Sequence, residues 1–228
     1  MRGWAPALGP GRVPELAAAD PKILVMVVTA VPGLPVLGLQ LSVGEEREVH
    51  RQAGLLLGRL HDSCRVPGAD DVSRVTGRVA GHLDQAGGLL TPAQRTLVRD
   101  CASQLAWLGA RVPAVASHGD FQPRNWLWDP AGSWLSVIDW ERAEPAASVR
   151  DLVRLEYGPW DHRPDLREQF FAGYGRTLTP EEDEMLFCYA VLDALSGLRW
   201  GLANGDDEVV NRAWRTFERS LDAPLTHL

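Results

Sequence analysis

The same helix-start device occurs three times in this chain, and it commits much of the sequence to α structure. Ser42 is followed three residues on by Glu45. Thr91-Pro92-Ala93-Gln94 and Thr179-Pro180-Glu181-Glu182 add a proline at the first helical position. In each, a hydroxyl can accept the N–H of the third helical residue while that residue's side chain reaches back to the cap. Val49, Ala53, Leu56, Leu57 and Leu60 recur at helical spacing behind Ser42, up to His61. The second helix should run to about Leu108 and the third over 180–203. Weaker patterns predict helices over 71–86, stopped by Gly87-Gly88, and over 148–158, 164–174 and 206–221.

Strand signals are fewer. Residues 1–20 are rich in Gly, Pro and Ala, with little periodicity. The aliphatic run Ile23 to Val28, broken by Val31-Pro32-Gly33, reads as a buried strand followed by a turn. Between residues 114 and 140 the character changes. Trp126-Leu127-Trp128 and the run Trp134 to Ile138 flank Asp129-Pro130-Ala131-Gly132, which predicts a β-hairpin.

Composition removes several classes of function. A length of 228 residues allows one domain or two unequal lobes. The net charge of −7 argues against a nucleic-acid partner, although it would suit a cationic substrate. Cys64, Cys101 and Cys188 are scattered and never spaced as C-x-x-C, which favours the reducing cytoplasm over a disulfide frame or a zinc site. The longest apolar run, Ile23 to Val31, is strand-sized, so no membrane partner is expected. The chain has a single lysine, Lys22.

The chemistry concentrates in two short strings. Residues 118–125 read His-Gly-Asp-Phe-Gln-Pro-Arg-Asn, and residues 138–141 read Ile-Asp-Trp-Glu. A carboxylate, an amide five residues on and a second carboxylate closing an apolar run are what phosphoryl transfer from a metal-bound nucleotide needs. Asp120 and Asn125 lie on one tight loop, and Asp139 arrives from the neighbouring strand to complete a set of oxygens that suits a hard Mg²⁺ ion. A metallophosphoesterase would need several more His and Asp ligands than can be placed here.

These strings, in this order of elements, resemble the aminoglycoside phosphotransferase and choline kinase family, a branch of the protein-kinase-like fold. The resemblance covers nearly the whole chain. Leu24 to Gly33 is similar to that family's strand and linker between lobes, and Ala146 to Leu155 to the helix after the metal-binding acid. It implies an α+β, mostly α fold: a kinase-like C-terminal lobe of helices and a catalytic-loop hairpin over residues 39–228, with an N-lobe remnant and interlobe strand over residues 1–38. It implies ATP or another nucleoside triphosphate with Mg²⁺ as cofactors. Asp120 would be the catalytic acid that orients or deprotonates the acceptor hydroxyl, and Asn125 and Asp139 the metal ligands. His118 and Asp151 would brace the loop.

Other expected parts of such a site are missing. Kinase-like folds carry a Gly-rich loop, a phosphate-binding lysine and a glutamate that positions it. Lys22 precedes the first strand, beside Pro21, and Gly9-Pro10-Gly11 is no phosphate loop. A partial chain, a kinase completed by a protein partner, and a non-catalytic binding module are the three readings. In the first, Met1 lies inside a former N-lobe helix. In the first two, the chain alone is weakly active.

The resemblance places the acceptor among the C-terminal helices. Glu144, Glu156, Asp161, Asp165 and Asp193 could meet the ammonium groups of an aminoglycoside. Tyr157, Trp160 and Trp200 could cage a choline-type cation. A small-molecule hydroxyl, as in antibiotic resistance, ranks before a peptide Ser/Thr.

Overall fold

The structure, a computed structural model, describes residues 3–67 and 70–222. Met1 therefore lies outside the described residues. The chain forms two compact units. One comprises Met1–Arg65, Val115–Glu144 and His162–Thr177; the other comprises Val66–Ala114, Pro145–Asp161 and Leu178–Leu228.

The first unit is organised around helix α1 (Val43–Asp62). Its capping box forms as the sequence predicts. The Ser42 hydroxyl accepts the Glu45 N–H at 3.3 Å, and the Glu45 carboxylate accepts the Ser42 N–H at 2.9 Å. Helix α6 (Pro164–Tyr174) lies along α1 at unusually close approach. A Cβ on Gly54 would overlap the Phe170 carbonyl, and one on Gly173 would overlap the Arg51 carbonyl. Arg163–Glu46 (2.9 Å) and Arg47–Asp165 (3.0 Å) pin one end of the pair. At the other end His61 Nδ1 and the Tyr174 hydroxyl share a buried hydrogen bond of 2.8 Å. Asp165, a candidate for holding a cationic substrate, is thus engaged by Arg163 and Arg47.

Two hairpins complete this unit. Strands β1 (Leu16–Asp20) and β2 (Val25–Val28) pair antiparallel, Asp20 opposite Val25, and Lys22 sits in the turn between them. The expectation of a buried strand here is wrong. All four β2 residues are exposed, as are Ile23 and Leu24 before them. An aliphatic run specifies extended backbone, but burial also requires a facing layer, and among the described residues this strand has none.

The second hairpin, β6 (Trp126–Asp129) and β7 (Trp134–Val137), has the register expected from the Asp129–Gly132 turn, with Trp126 opposite Val137. Strand β3 (Leu34–Pro35) pairs with β6. Along β7, the Val137 N–H donates to the Arg12 carbonyl at 2.8 Å. The Arg12 guanidinium donates to Gln52 Oε1 and the Leu135 carbonyl, and lies 3.3 Å from the Trp134 ring centre. Trp126, Trp128, Leu135 and Val137 are almost wholly buried.

The second unit is helical: α2 (Asp70–Thr76), α3 (Val79–Ala86), α4 (Pro92–Leu108), α5 (Val153–Glu156), α7 (Pro180–Asn204) and α8 (Asp207–Leu221). The helix expected over 71–86 is two helices broken at Gly77-Arg78. The one expected over 148–158 is a 3₁₀ turn (Ser148–Asp151) followed by α5. Helix α7 packs against α3, α4 and α8. By length and composition alone α7 could cross a bilayer, but most of its apolar stretch is buried. Glu182 serves two purposes at its start: one oxygen accepts the Thr179 N–H at 3.0 Å and the other accepts the Ser148 hydroxyl at 3.0 Å. Strands β4 (Arg65–Val66), β5 (Ala114–Ser117) and β8 (Glu144–Ala147) lie where the chain passes between units.

Candidate active site

Strand β5 delivers the chain, fully buried, to His118. Gly119 follows at φ +78°, where a Cβ would collide with the Arg142 carbonyl, so the turn that aims Asp120 requires glycine. His118 is inaccessible to solvent. Its Nε2–H donates to the Ile138 carbonyl at 2.9 Å, and its Nδ1 accepts the Asp120 N–H at 3.3 Å. These two bonds require the Nε2–H tautomer and tie the loop to the segment carrying Asp139. The ring packs against Trp140 and Phe121, with centroids 4.8 and 5.8 Å away.

The Asp120 carboxylate is buried and surrounded by donors. Gln122 Nε2 donates to Oδ1 at 2.6 Å; Arg124 Nη2 and Asn125 Nδ2 donate to Oδ2 at 2.6 and 2.9 Å. Asn125 Nδ2 also donates to the Asp120 backbone carbonyl at 2.9 Å. The Asn125 amide nitrogen is thus committed to Asp120, and its Oδ1 forms no hydrogen bond among the described residues. The loop between is short because Pro123–Asn125 makes a 3₁₀ turn, which brings position 124 back over position 120.

Asp139 follows β7. The Ile138 N–H donates to the Asn125 carbonyl at 3.0 Å, so Asn125 and the residue before Asp139 are joined directly. Asp139 has φ +64°, left-handed backbone that Asp tolerates better than most residues and that recurs at functional sites. It is exposed and forms no hydrogen bond or ion pair among the described residues. Also among those residues, no three His, Cys, Asp or Glu side chains gather as a metal cluster. The oxygen donors are two carboxylates and an amide. That set fits Mg²⁺, which keeps waters and phosphate oxygens in its shell, better than it fits a metal caged by protein alone.

The remaining candidates fall elsewhere. Asp151 is 2% exposed, in the 3₁₀ turn of the second unit. Glu144 begins β8 in the first unit. The others belong to the second unit, where Glu156, Tyr157 and Asp161 are brought together by Arg219. Its guanidinium lies 3.4 Å from Glu156, 3.2 Å from Asp161 and 4.6 Å from the Tyr157 ring centre. Burial pushes the Tyr157 phenol up to about 12, with Arg219 opposing, so the ring stays neutral at physiological pH. Asp193 and Tyr157 line a cavity of about 20 Å³, room for one water rather than a sugar. Trp160 is buried and Trp200 is 54% exposed. Gln122, Arg124 and Arg219 were not foreseen as neighbours of these acids. The signal for Arg124 was its position four residues after Asp120, readable once the intervening turn is known; Arg219 left no local signal.

A loop presenting an acid and an amide, met by a second acid after the neighbouring strand β7, is the arrangement the sequence led one to expect of a phosphotransferase. The pattern of the phosphotransferase enzyme family (APH) matches residues 3–188, and the chain belongs to that family. Among solved structures, the GDP and kanamycin complex of APH(2")-IIia is similar at TM-score 0.67 and 17% identity, covering 91% of this chain and 75% of that one. A choline/ethanolamine kinase family protein from Mesorhizobium loti is similar at TM-score 0.67 and 22% identity, covering 97% and 82%. The apo form of a thermostable mutant of aminoglycoside phosphotransferase APH(4)-Ia is similar at TM-score 0.67 and 16% identity, covering 97% and 80%. No curated protein sequence matches the chain.

Proposed function

We propose that this chain carries the metal and acceptor side of a nucleoside-triphosphate-dependent O-phosphotransferase, with ATP as the first candidate donor and a small-molecule hydroxyl as acceptor. One observation carries the reading. Asn125 turns its amide nitrogen to Asp120 and leaves Oδ1 without a hydrogen bond among the described residues, while the Asp139 carboxylate likewise has none among them and lies one residue from a direct backbone link to Asn125. Asn125 and Asp139 would hold Mg²⁺, which when bound neutralises charge on the nucleotide phosphates. Asp120 orients the acceptor hydroxyl. The hydroxyl oxygen forms a bond to the γ-phosphorus, and its proton passes to the Asp120 carboxylate. The bond from the γ-phosphorus to the bridging oxygen breaks, and its electron pair leaves on the nucleoside diphosphate.

Nucleotide use is supported by similar structures that hold GDP, ADP or AMP. Kanamycin and spectinomycin appear in two of them. A polycationic acceptor is less well served here, because Arg219 engages Glu156 and Asp161. A hydroxyl compound of low charge fits better. All three cysteines are free thiols, which suits the reducing cytoplasm.

Titration of the chain with nucleotide and Mg²⁺ tests this reading. Saturable binding is expected, and Asp139→Asn should abolish its Mg²⁺ dependence. Turnover on any hydroxyl acceptor should vanish in Asp120→Ala. Nucleotide binding unaffected by Asp139→Asn would sink the metal assignment. A second reading, a protein partner that supplies phosphate-binding elements, is favoured by the exposed aliphatic residues Ile23 to Val28. A partner that restores turnover to an otherwise slow chain would establish it.

A further inference from the structure

We propose that Arg124 is the γ-phosphate ligand of this chain. The guanidinium that holds Asp120 without nucleotide turns onto the terminal phosphoryl oxygens when a magnesium nucleoside triphosphate binds. This rests on the nucleotide-dependent reading above.

Four observations lead there. First, a transferring phosphoryl group needs a positioned cation, usually a lysine. The one lysine here, Lys22, lies in the exposed β1–β2 turn, its backbone N–H bonded to Asp20. Second, Arg124 stands directly on the acid that would meet the acceptor, Nη2 to Asp120 Oδ2 at 2.6 Å. Its side chain is 51% exposed, and it makes only this one hydrogen bond among the described residues. Four guanidinium N–H donors remain to offer a second, planar partner, and phosphate is the partner their fork geometry fits.

Third, the exchange leaves nothing stranded. When Arg124 turns away, Asp120 keeps Gln122 on Oδ1 and Asn125 on Oδ2. The acid therefore stays positioned while losing the cation that masks it from the acceptor hydroxyl. Fourth, the base of the side chain is fixed while its end is not. Arg124 lies inside the Pro123–Asn125 turn, where the Pro123 carbonyl accepts N–H groups from Trp126 and Leu37 and the Asn125 N–H donates to Gln122. The guanidinium end of the ion pair is half-exposed while the Asp120 end is buried, so a terminal phosphate carrying more than one negative charge can reach Arg124 from solvent while Asp120 keeps its two amide donors.

The experiment compares Mg²⁺-ATP with Mg²⁺-ADP by calorimetric titration, on the whole chain and on Arg124→Ala, Arg124→Gln and Arg124→Lys. Circular dichroism melts verify that each variant is folded. Arg124→Ala and Arg124→Gln should weaken ATP about tenfold or more while changing ADP less than about twofold, since only ATP presents a γ-phosphate. Arg124→Lys should fall between, retaining the charge without the fork. If ATP and ADP weaken by the same factor, or neither changes, Arg124 is no γ-phosphate ligand although the nucleotide reading stands. If the unaltered chain binds neither nucleotide, the nucleotide reading itself fails and this assignment with it.

Discussion

Two β-hairpins of similar length sit in the same compact unit and meet opposite fates. The β6–β7 hairpin carries three tryptophans and buries Trp126, Trp128, Leu135, Ser136 and Val137; the β1–β2 hairpin carries Val25, Met26, Val27 and Val28, all exposed, as is every residue of β1 but Leu16. Intrinsic strand preference does not separate β2 from β6 and β7, because Val25, Val27 and Val28 favour strand as the tryptophans do. What separates them is cover. One side of the buried hairpin is paired by β3 and the other by the Arg12 carbonyl, and Arg12 is itself locked by Gln52 and Trp134. Among the described residues the exposed hairpin closes on itself, through Glu15 and Thr29 at its base. The candidate active site lies at the base of the covered hairpin, with Asn125 just before β6 and Asp139 just after β7.

The largest test of this contrast removes the keystone of the covered hairpin. Trp126 contacts Phe121 and His50, with ring centroids at 5.1 and 5.4 Å, and is inaccessible to solvent. Trp126→Ala should lower unfolding stability by about 3–5 kcal/mol in urea titration. The indole N–H has no hydrogen-bond partner among the described residues, so its contribution is packing. Trp126→Phe should therefore cost far less than Trp126→Ala. A loss under about 1 kcal/mol for alanine would mean that the hairpin is not anchored through this ring.

The same contrast marks what could be read in advance. The capping boxes at Ser42, Thr91 and Thr179 were legible because cap and partner are three residues apart. The β6–β7 turn was legible for the same local reason, and so was the contact of Asn125 with Asp120 on one loop. The exposure of Ile23 to Val28 was not, because it depends on a layer that the run does not encode. Nor were Gly54 and Gly173, which look like helix weaknesses until two backbones are seen to meet there. The Arg219 bridge to Glu156 and Asp161 spans 63 and 58 residues, beyond any local pattern. Fold class is carried by short-range periodicity, whereas the electrostatic partners of a site are set by tertiary approach.

The second test uses pH. His50 is 4% exposed at the edge of Trp126. Its Nδ1–H donates to the Glu46 carbonyl at 2.8 Å, and Nε2 is buried without a partner among the described residues. Burial pushes its pKa below 6.5, against the opposing pull of Glu46 and Asp165. The folded protein thus refuses a proton that the unfolded chain accepts. Stability from this group is complete above about pH 6.5 and is lost as pH falls below it, by at most about 1.4 kcal/mol per pH unit. Asp165 does not blur this window. Arg163, and then Arg47, hold its carboxyl well below the usual range, so its contribution is lost only in stronger acid. Urea midpoints measured from pH 7.5 to pH 5 should fall for the unaltered chain, and His50→Gln should flatten the slope. An unchanged slope would place the acid sensitivity elsewhere.

The smallest expected effect is also the most direct comparison: one substitution made in both hairpins. Val137 is inaccessible and Val27 is 51% exposed. Threonine preserves shape and strand preference, so backbone terms cancel and the hydroxyl's environment decides the outcome. In Val137→Thr the hydroxyl enters a packed layer, and a loss of about 1–3 kcal/mol is expected. In Val27→Thr it meets water, and the change should stay within about 0.5 kcal/mol. Equal losses at both positions would show that the β1–β2 strand is covered in solution. The aliphatic run would then be an interface rather than an open edge.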